Sequence, residues 1–292
     1  MTLAPTRELM LAAATDGTGI GAFNVIHLET AEALVAAAER AGLPVILQIS
    51  QNCASYHGGL RPVAEATLAI ARAAAVPVAV HLDHAEDEAL ACRAVDLGFG
   101  SVMYDGAHLD YDENVASTAR VVAYAHARGG YVEAELGRIG GKGGAHAPGV
   151  RTDPDEAVAF VRATQVDALA VAVGSSHAMT SRVAALDLDL IARLHAAVAV
   201  PLVLHGSSGV SDEQIVGAIS AGMTKINVST HLNGFFTAAI RDYLDANPTV
   251  VDSREYVAAG RAALSGEAAR MLRLFSLNGD RFAEAMRKNR NP

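Results

Sequence analysis

Three histidines follow apolar runs that read as buried strands: His84 in AVPVAVHLDH, His177 in ALAVAVGSSH and His205 in VPLVLHG. Three neutral imidazoles can hold a zinc ion and leave one coordination position open for substrate, which is the ligand set of a catalytic zinc. In a chain with 11 histidines, each taken alone is more simply a surface or core residue. The shared position at the end of an apolar run sets these three apart. Asp83 stands beside His84, where a carboxylate either orients a metal ligand or carries a proton to and from bound substrate. Asp105 in SVMYD and Glu135 in VEAELG also close apolar runs. They are placed to position water, bind a second cation or tune the histidines, and burial without a cation or donors nearby would be costly. Further along, HGSSG (205 to 209) and NVST (227 to 230) are rich in small residues, which let backbone amides point at an oxyanion such as phosphate.

These residues need a frame that brings strand ends together. Short runs rich in Val, Ile or Leu recur at 21 to 25, 44 to 50, 76 to 83, 101 to 105, 131 to 137, 168 to 174, 201 to 206 and 225 to 230. Between them lie Ala-rich segments of helical spacing, such as ETAEALVAAAERAG and DEALACRAVDLG, each ending in the Gly that helix C-termini prefer. Strands with little polar alternation are buried on both faces, so the sheet is parallel and covered by helices. Eight such units, with no Gly-x-Gly-x-x-Gly turn after the first, predict a closed (β/α)8 TIM barrel rather than an open doubly wound sheet. In such a barrel the C-terminal strand ends form one rim, and the turns after strands 7 and 8 bind phosphate. Two segments leave the repeat. The Gly-rich stretch 137 to 153 is long for a strand-to-helix connection and reads as an active-site loop. Residues from about 248 to 292 add C-terminal helices to what reads as a single domain over 1 to 292.

Composition narrows the field. A net charge of −9 with 23 Lys and Arg argues against a nucleic-acid partner. The absence of a run of about 18 apolar residues, together with an N-terminus unlike a secretory signal, points away from a membrane and to the cytoplasm. Cys53 and Cys92 lack metal-type spacing and read as reduced thiols.

The markers GAFN, HLDH, VEAELG, GSSH, LVLHGSSG and KINVST stand in an order that resembles the class II, metal-dependent ketose-bisphosphate aldolases, which include fructose- and tagatose-bisphosphate aldolases. The resemblance runs from GAFNV to the Asp-x-Arg at 252 to 254. It implies that His84, His177 and His205 hold zinc, that Asp83 exchanges the proton on the C4 oxygen, and that Asp105 and Glu135 line an alternative or second position for a divalent or monovalent cation. It implies phosphate contacts around Ala178, Gly206, Ser207, Ser208, Asn227, Val228, Ser229 and Thr230, with Asn24 and Ser50 nearby. Arg254 matches an arginine that reaches a neighbouring subunit's site, which implies a homodimer or homotetramer. Zinc would polarise the ketose carbonyl and stabilise the enediolate of dihydroxyacetone phosphate. Of Lys142, Lys225 and Lys288 only Lys225 begins a strand, so a Schiff-base mechanism is the poorer reading.

Three positions depart from the family pattern. Gly143 replaces a loop glutamate that shuttles the enediolate proton, leaving His146 or water to carry it; Ala178 replaces a glycine after the second zinc histidine; and Ser229 replaces the aspartate common in fructose-type members. The last leans towards the tagatose type. Three alternatives stay open: an aldolase for a deoxy-keto-gluconate 6-phosphate as in inositol catabolism, a metal-dependent sugar-phosphate isomerase or epimerase, and a non-catalytic sugar-phosphate-binding accessory subunit.

Overall fold

The computed structural model describes residues 3–136, 151–175, 182 and 184–277. Its strands are β1 (Ile20–Asn24), β2 (Val45–Ser50), β3 (Val78–Ala85), β4 (Ser101–Tyr104), β5 (Tyr131–Glu135), β6 (Ala168–Ala170), β7 (Leu202–Leu204) and β8 (Met223–Val228). All neighbours pair in parallel and in chain order, and β8 closes on β1, with Ala22 opposite Asn227. The expected eight-stranded barrel is therefore the architecture.

Helices α1 (Thr6–Asp16), α2 (Leu28–Ala41), α3 (Gln51–Tyr56), α4 (Leu60–Ala73), α5 (Glu88–Asp96), α6 (Tyr111–His126), α7 (Pro154–Thr164), α8 (Leu188–Ala197), α9 (Asp212–Ser220), α10 (Thr230–Ala246) and α11 (Ser253–Phe275) surround it. Their ends follow from local chemistry. In α2, Ala31, Leu34, Val35 and Ala38 form the buried stripe, and Gly42 ends it in the left-handed conformation at φ 66°. In α7, Pro154 follows an Asp153 whose carboxylate accepts from the amides of Asp155 and Glu156. Ser211 caps α9 in the same way.

Period-two alternation divides the strand residues between two cores. Phe23, Leu47, Val80, Leu82, Val102, Val132, Leu169, Leu204 and Ile226 face out and pack on the helices. Ile20, Ile46, Ala79, Met103, Tyr131, Ala168 and Val203 face in, and α1 covers the N-terminal mouth beneath them with Leu9, Met10 and Ala13. Each such large side chain contributes about 1.5–3 kcal/mol on burial. Higher in the barrel the inward residues turn polar: Gln48, His81, Ser101, Glu133 and Lys225, then Asn24, Asp83, Asp105, Glu135, His205 and Asn227 near the C-terminal rim.

Two strands differ from the sequence expectation. β6 spans three residues rather than 168 to 174, because beyond it Ala172 exchanges hydrogen bonds with Thr152 instead of continuing the ladder. β8 stops at Val228; Ser229 is already the cap of α10, so the NVST run spans a strand end and a helix start. In the C-terminal extension, α11 packs on α2 and α10, and Phe275 reaches Phe23 at 6.2 Å between rings. The segment DRFAEAMRKN lies outside the described residues. Among the described residues no helix is long and apolar enough to cross a membrane.

Candidate active site

The rim begins with an irregularity in β3. Strict alternation would turn His84 outward, since Leu82 faces the outer core and Asp83 faces in. Instead the β3–β4 register slips between Leu82 and Ala85, and His84 takes a positive φ of 49°. That conformation is costly for a residue with a side chain, and such strain concentrates at functional positions. The bulge lets Asp83 and His84, adjacent in sequence, serve one cavity.

His205, completely buried, follows β7 and meets His84 there, with His205 Nδ1 3.0 Å from His84 Nε2. Each ring's other nitrogen is engaged by a carboxylate: His84 Nδ1 lies 2.9 Å from Asp105 Oδ2, and His205 Nε2 lies 2.9 Å from Glu133 Oε1. A neutral imidazole has one N–H, and the carboxylates take it. The two inward nitrogens therefore present lone pairs to each other, which repel unless a cation stands between them. Tetrahedral zinc with bonds of about 2.0–2.1 Å spaces its nitrogens about 3.3 Å apart, close to what is seen. Oxygens of Asp83 join His84 and His205 within 4.8 Å of one another, as do those of Asp105 and Glu135 with His84. This donor set fits a divalent metal. Without one, a proton takes its place: burial opposes charge on His84, but Asp83, the Asp105 hydrogen bond and Glu135 outweigh it and push its pKa up to about 10.

Asp83, only 4% exposed, is clamped by amides rather than cations. Asn24 Nδ2 donates to one oxygen at 3.1 Å and Asn227 Nδ2 approaches the other at 3.4 Å; Asn24 is in turn held by Gln48 Nε2 at 2.8 Å. Among the described residues, Gln48 Oε1 and Asn227 Oδ1 are buried without a hydrogen-bond partner. In a cavity of about 200 Å³ lined by Asn24, Gln48, Asp83, His84, Gly206, Ser208, Asn227, Ser229 and Thr230, these acceptors suit sugar hydroxyls. A larger cavity of about 660 Å³ lies at the opposite end of the barrel, beside α1 and α11; its described lining has Asp16 and no imidazole.

The other sequence candidates divide. Gly206, Ser208, Ser229 and Thr230 line the cavity. Ser207 is adjacent, but its hydroxyl donates to the Asn227 carbonyl. Val228 turns its side chain into the outer core, so only its backbone can serve. Ser50 sits beside Asp83 in the β2–β3 register, yet its oxygen accepts from the Cys53 amide and caps α3. Asp105 holds the His84 ring through one oxygen and accepts from the Ala107 amide with the other. Arg254 is 89% exposed, folded onto Asp252, and does not line this chain's own cavity. His177, Ala178, Gly143 and His146 lie outside the described residues. Gln48, His81 and Glu133 were missed as candidates, and Lys225 was weighed only as a Schiff-base lysine, although each stands two residues before a chosen one on the same strand: Ser50, Asp83, Glu135 and Asn227.

A sequence model of the family described as fructose-bisphosphate aldolase class-II matches residues 4–280. The chain belongs to that family. It is similar to a fructose-bisphosphate aldolase of Geobacillus stearothermophilus, 39% identical over 96% of this chain and 99% of the relative. Among solved structures it resembles the YdjI aldolase from Escherichia coli K12, with a TM-score of 0.82 and 33% identity over 94% of this chain and 97% of that one. It likewise resembles a putative fructose-1,6-bisphosphate aldolase from Coccidioides immitis, with a TM-score of 0.82 and 31% identity over 93% and 96%. As a member of the class II aldolases the chain is a carbon–carbon lyase.

Proposed function

We propose that this chain is a cytoplasmic, zinc-dependent aldolase that cleaves and forms a ketose 1,6-bisphosphate of the tagatose or fructose type, with dihydroxyacetone phosphate as the three-carbon partner. The observation that carries the reading is the pair of inward imidazole nitrogens beside Asp83 at the barrel rim. His84 and His205 hold the metal, with His177 as the third ligand, and Asp105 and Glu135 line a second cation position. Zinc supplies Lewis-acid polarisation of a substrate carbonyl when bound.

Asp83 acts on the C4 hydroxyl. Its carboxylate accepts that proton as the C3–C4 bond breaks, and returns it in the reverse direction. Amide donors from Asn24 and Asn227 hold its two oxygens in place. Gln48 Oε1 and Asn227 Oδ1 accept hydrogen bonds from hydroxyls of the bound sugar. Gly206 and Ser208 with Ser229 and Thr230 surround one phosphate, through backbone amides at two turns; Ala178 adds to them. Ser229 lines the cavity where fructose-type members commonly carry an aspartate, and on that family comparison the substrate is of the tagatose type.

Arg254 serves the distal phosphate of a neighbouring subunit's substrate, and the enzyme is a homodimer or homotetramer. Its exposure in the first turn of α11 leaves it accessible to a second chain, and α10 keeps Phe235 and Leu244 exposed beside that helix. The test is triose release from tagatose 1,6-bisphosphate, fructose 1,6-bisphosphate and a deoxy-keto-gluconate 6-phosphate side by side. Dihydroxyacetone phosphate from a bisphosphate, fastest from tagatose, is expected. Cleavage confined to the keto-acid phosphate would overturn the substrate assignment, and epimerisation without triose would overturn the lyase reaction for this site.

A further inference from the structure

Three sequence markers carry a polar residue with no assigned role: the first histidine of HLDH, the first glutamate of VEAELG and the lysine of KINVST. The fold puts all three in contact inside the barrel. His81, Glu133 and Lys225 are each 1% exposed, in a region where an unpaired charge would be prohibitively costly. Lys225 Nζ donates to Glu133 Oε2 at 2.7 Å and approaches His81 Nε2 at 3.3 Å. Glu133 Oε1 is the acceptor for His205 Nε2 at 2.9 Å.

We propose that Glu133, Lys225 and His81 form a buried positioning chain that fixes the tautomer and orientation of the His205 ring, so that its Nδ1 faces the metal position. The inference rests on the metal reading of His84 and His205 given above.

The chain has a single polarity. His205 Nε2–H donates to Glu133, and the Lys225 ammonium donates to Glu133 and to His81 Nε2. That last acceptor requires a neutral His81 with its proton on Nδ1, which then donates to Ser101 Oγ at 2.7 Å; Ser101 is in turn 2.8 Å from Thr6 Oγ1 at the start of α1. Burial and the Lys225 charge hold His81 in its neutral form. The chain thus ties β7, β5, β8, β3 and β4 to the helix that closes the barrel floor. A lysine that merely neutralised a stray carboxylate would leave His205 free to rotate. Here the two Glu133 oxygens are divided, one to the ring and one to the ammonium, so the carboxylate cannot turn without breaking both bonds. Such outer partners of a ligand histidine change metal affinity by about 10–100-fold when removed.

Two double variants separate the ring contact from the ion pair. Glu133→Leu/Lys225→Met removes both charges and the acceptor. Glu133→Gln/Lys225→Met removes both charges and keeps an acceptor for His205, with its amide nitrogen placed near His81, where Oε2 lies 3.9 Å away. Zinc and cobalt(II) affinities are measured by competition with a chromogenic chelator, alongside the cobalt visible spectrum and the unfolding midpoint of each metal-free protein. We expect the Leu/Met protein to lose about 10–100-fold in affinity and to change its cobalt spectrum, while the Gln/Met protein stays within several-fold of wild type. Equal affinities and spectra in all three would overturn the chain's role. Long-range proton–nitrogen spectra of wild-type protein provide a readout independent of variant folding: His205 must show a protonated Nε2 and a bare Nδ1, and the opposite tautomer refutes the proposal. Failure of wild-type protein to bind metal stoichiometrically would instead strike the metal reading itself.

Discussion

Glu267 of α11 joins the helical extension to the phosphate turns, and its replacement by Gln has a calculable effect. Its carboxylate accepts from His231 Nε2 at 2.8 Å and from Arg270 at 2.7 and 2.9 Å; Arg270 also donates to Asp212, which Arg182 meets at 2.6 Å. The His231 amide in turn donates to Ser208 Oγ at the cavity. Burial by itself would push the Glu267 carboxyl up, but the hydrogen bonds and charges of His231 and Arg270 override it and hold the pKa at about 2. Against an unfolded value of about 4.3, at about 1.4 kcal/mol per tenfold change in proton affinity, the ceiling is roughly 3 kcal/mol. Arg270 is 43% exposed, and solvent screening brings the expected contribution to ~1–2 kcal/mol. Because the folded pKa is lowered, this stability is complete above the unfolded pKa and is lost as pH falls toward the folded one, about half remaining at pH 3. Urea unfolding should therefore place Glu267→Gln about 0.5 M below wild type at pH 7, with the gap narrowing on acidification. The same variant should raise KM for the sugar phosphate several-fold with kcat little changed, since the network holds the Ser208 turn. Identical midpoints at pH 7, or a gap that widens toward pH 3, would refute the reasoning.

Other consequences are equally direct. Asp83→Asn should lower kcat/KM by about 10²–10⁴ while zinc affinity stays within several-fold, as a proton carrier requires; a matching loss of zinc would make Asp83 an orienter instead. Arg254→Ala should weaken bisphosphate binding, and subunits of Arg254→Ala mixed with Asp83→Asn should regain activity above the sum of the separate proteins if the arginine serves a neighbour; no gain on mixing would contradict a shared site. Since the metal-free His84 holds its proton to about 10, zinc binding at pH 7.5 should release about one proton from this ring, measurable by calorimetry in buffers of different ionisation enthalpy. Heat independent of buffer would contradict that protonation state.

Much of the frame was legible in the chain because parallel strands buried on both faces leave long apolar runs, and each run here ended in polar residues that the barrel gathers at one rim. The short β6 was not legible: its apolar run continues to Val173, but Thr152 takes over the hydrogen bonds of Ala172, a contact 20 residues away. The slip in β3 left no local signal either, since Asp83 and His84 share a cavity only through a backbone conformation that no composition specifies. Gln48, Glu133 and Lys225 could have been found by carrying the two-residue period back along each strand from Ser50, Glu135 and Asn227. They stayed hidden because polar and charged residues in a barrel interior run against ordinary burial preference, and only the fold shows that the charges of Glu133 and Lys225 meet. The Glu267 network joins helices far apart in sequence, and its pairing depends on packing of α11 rather than on any motif.

The proposed reaction requires a metal held between His84 and His205 beside Asp83. The most direct measurement is aldol cleavage against bound zinc, in protein stripped with chelator and titrated back. Activity absent from the stripped protein and rising linearly to a break at one zinc per chain is the predicted result. Full cleavage by protein shown to be free of metal would contradict it.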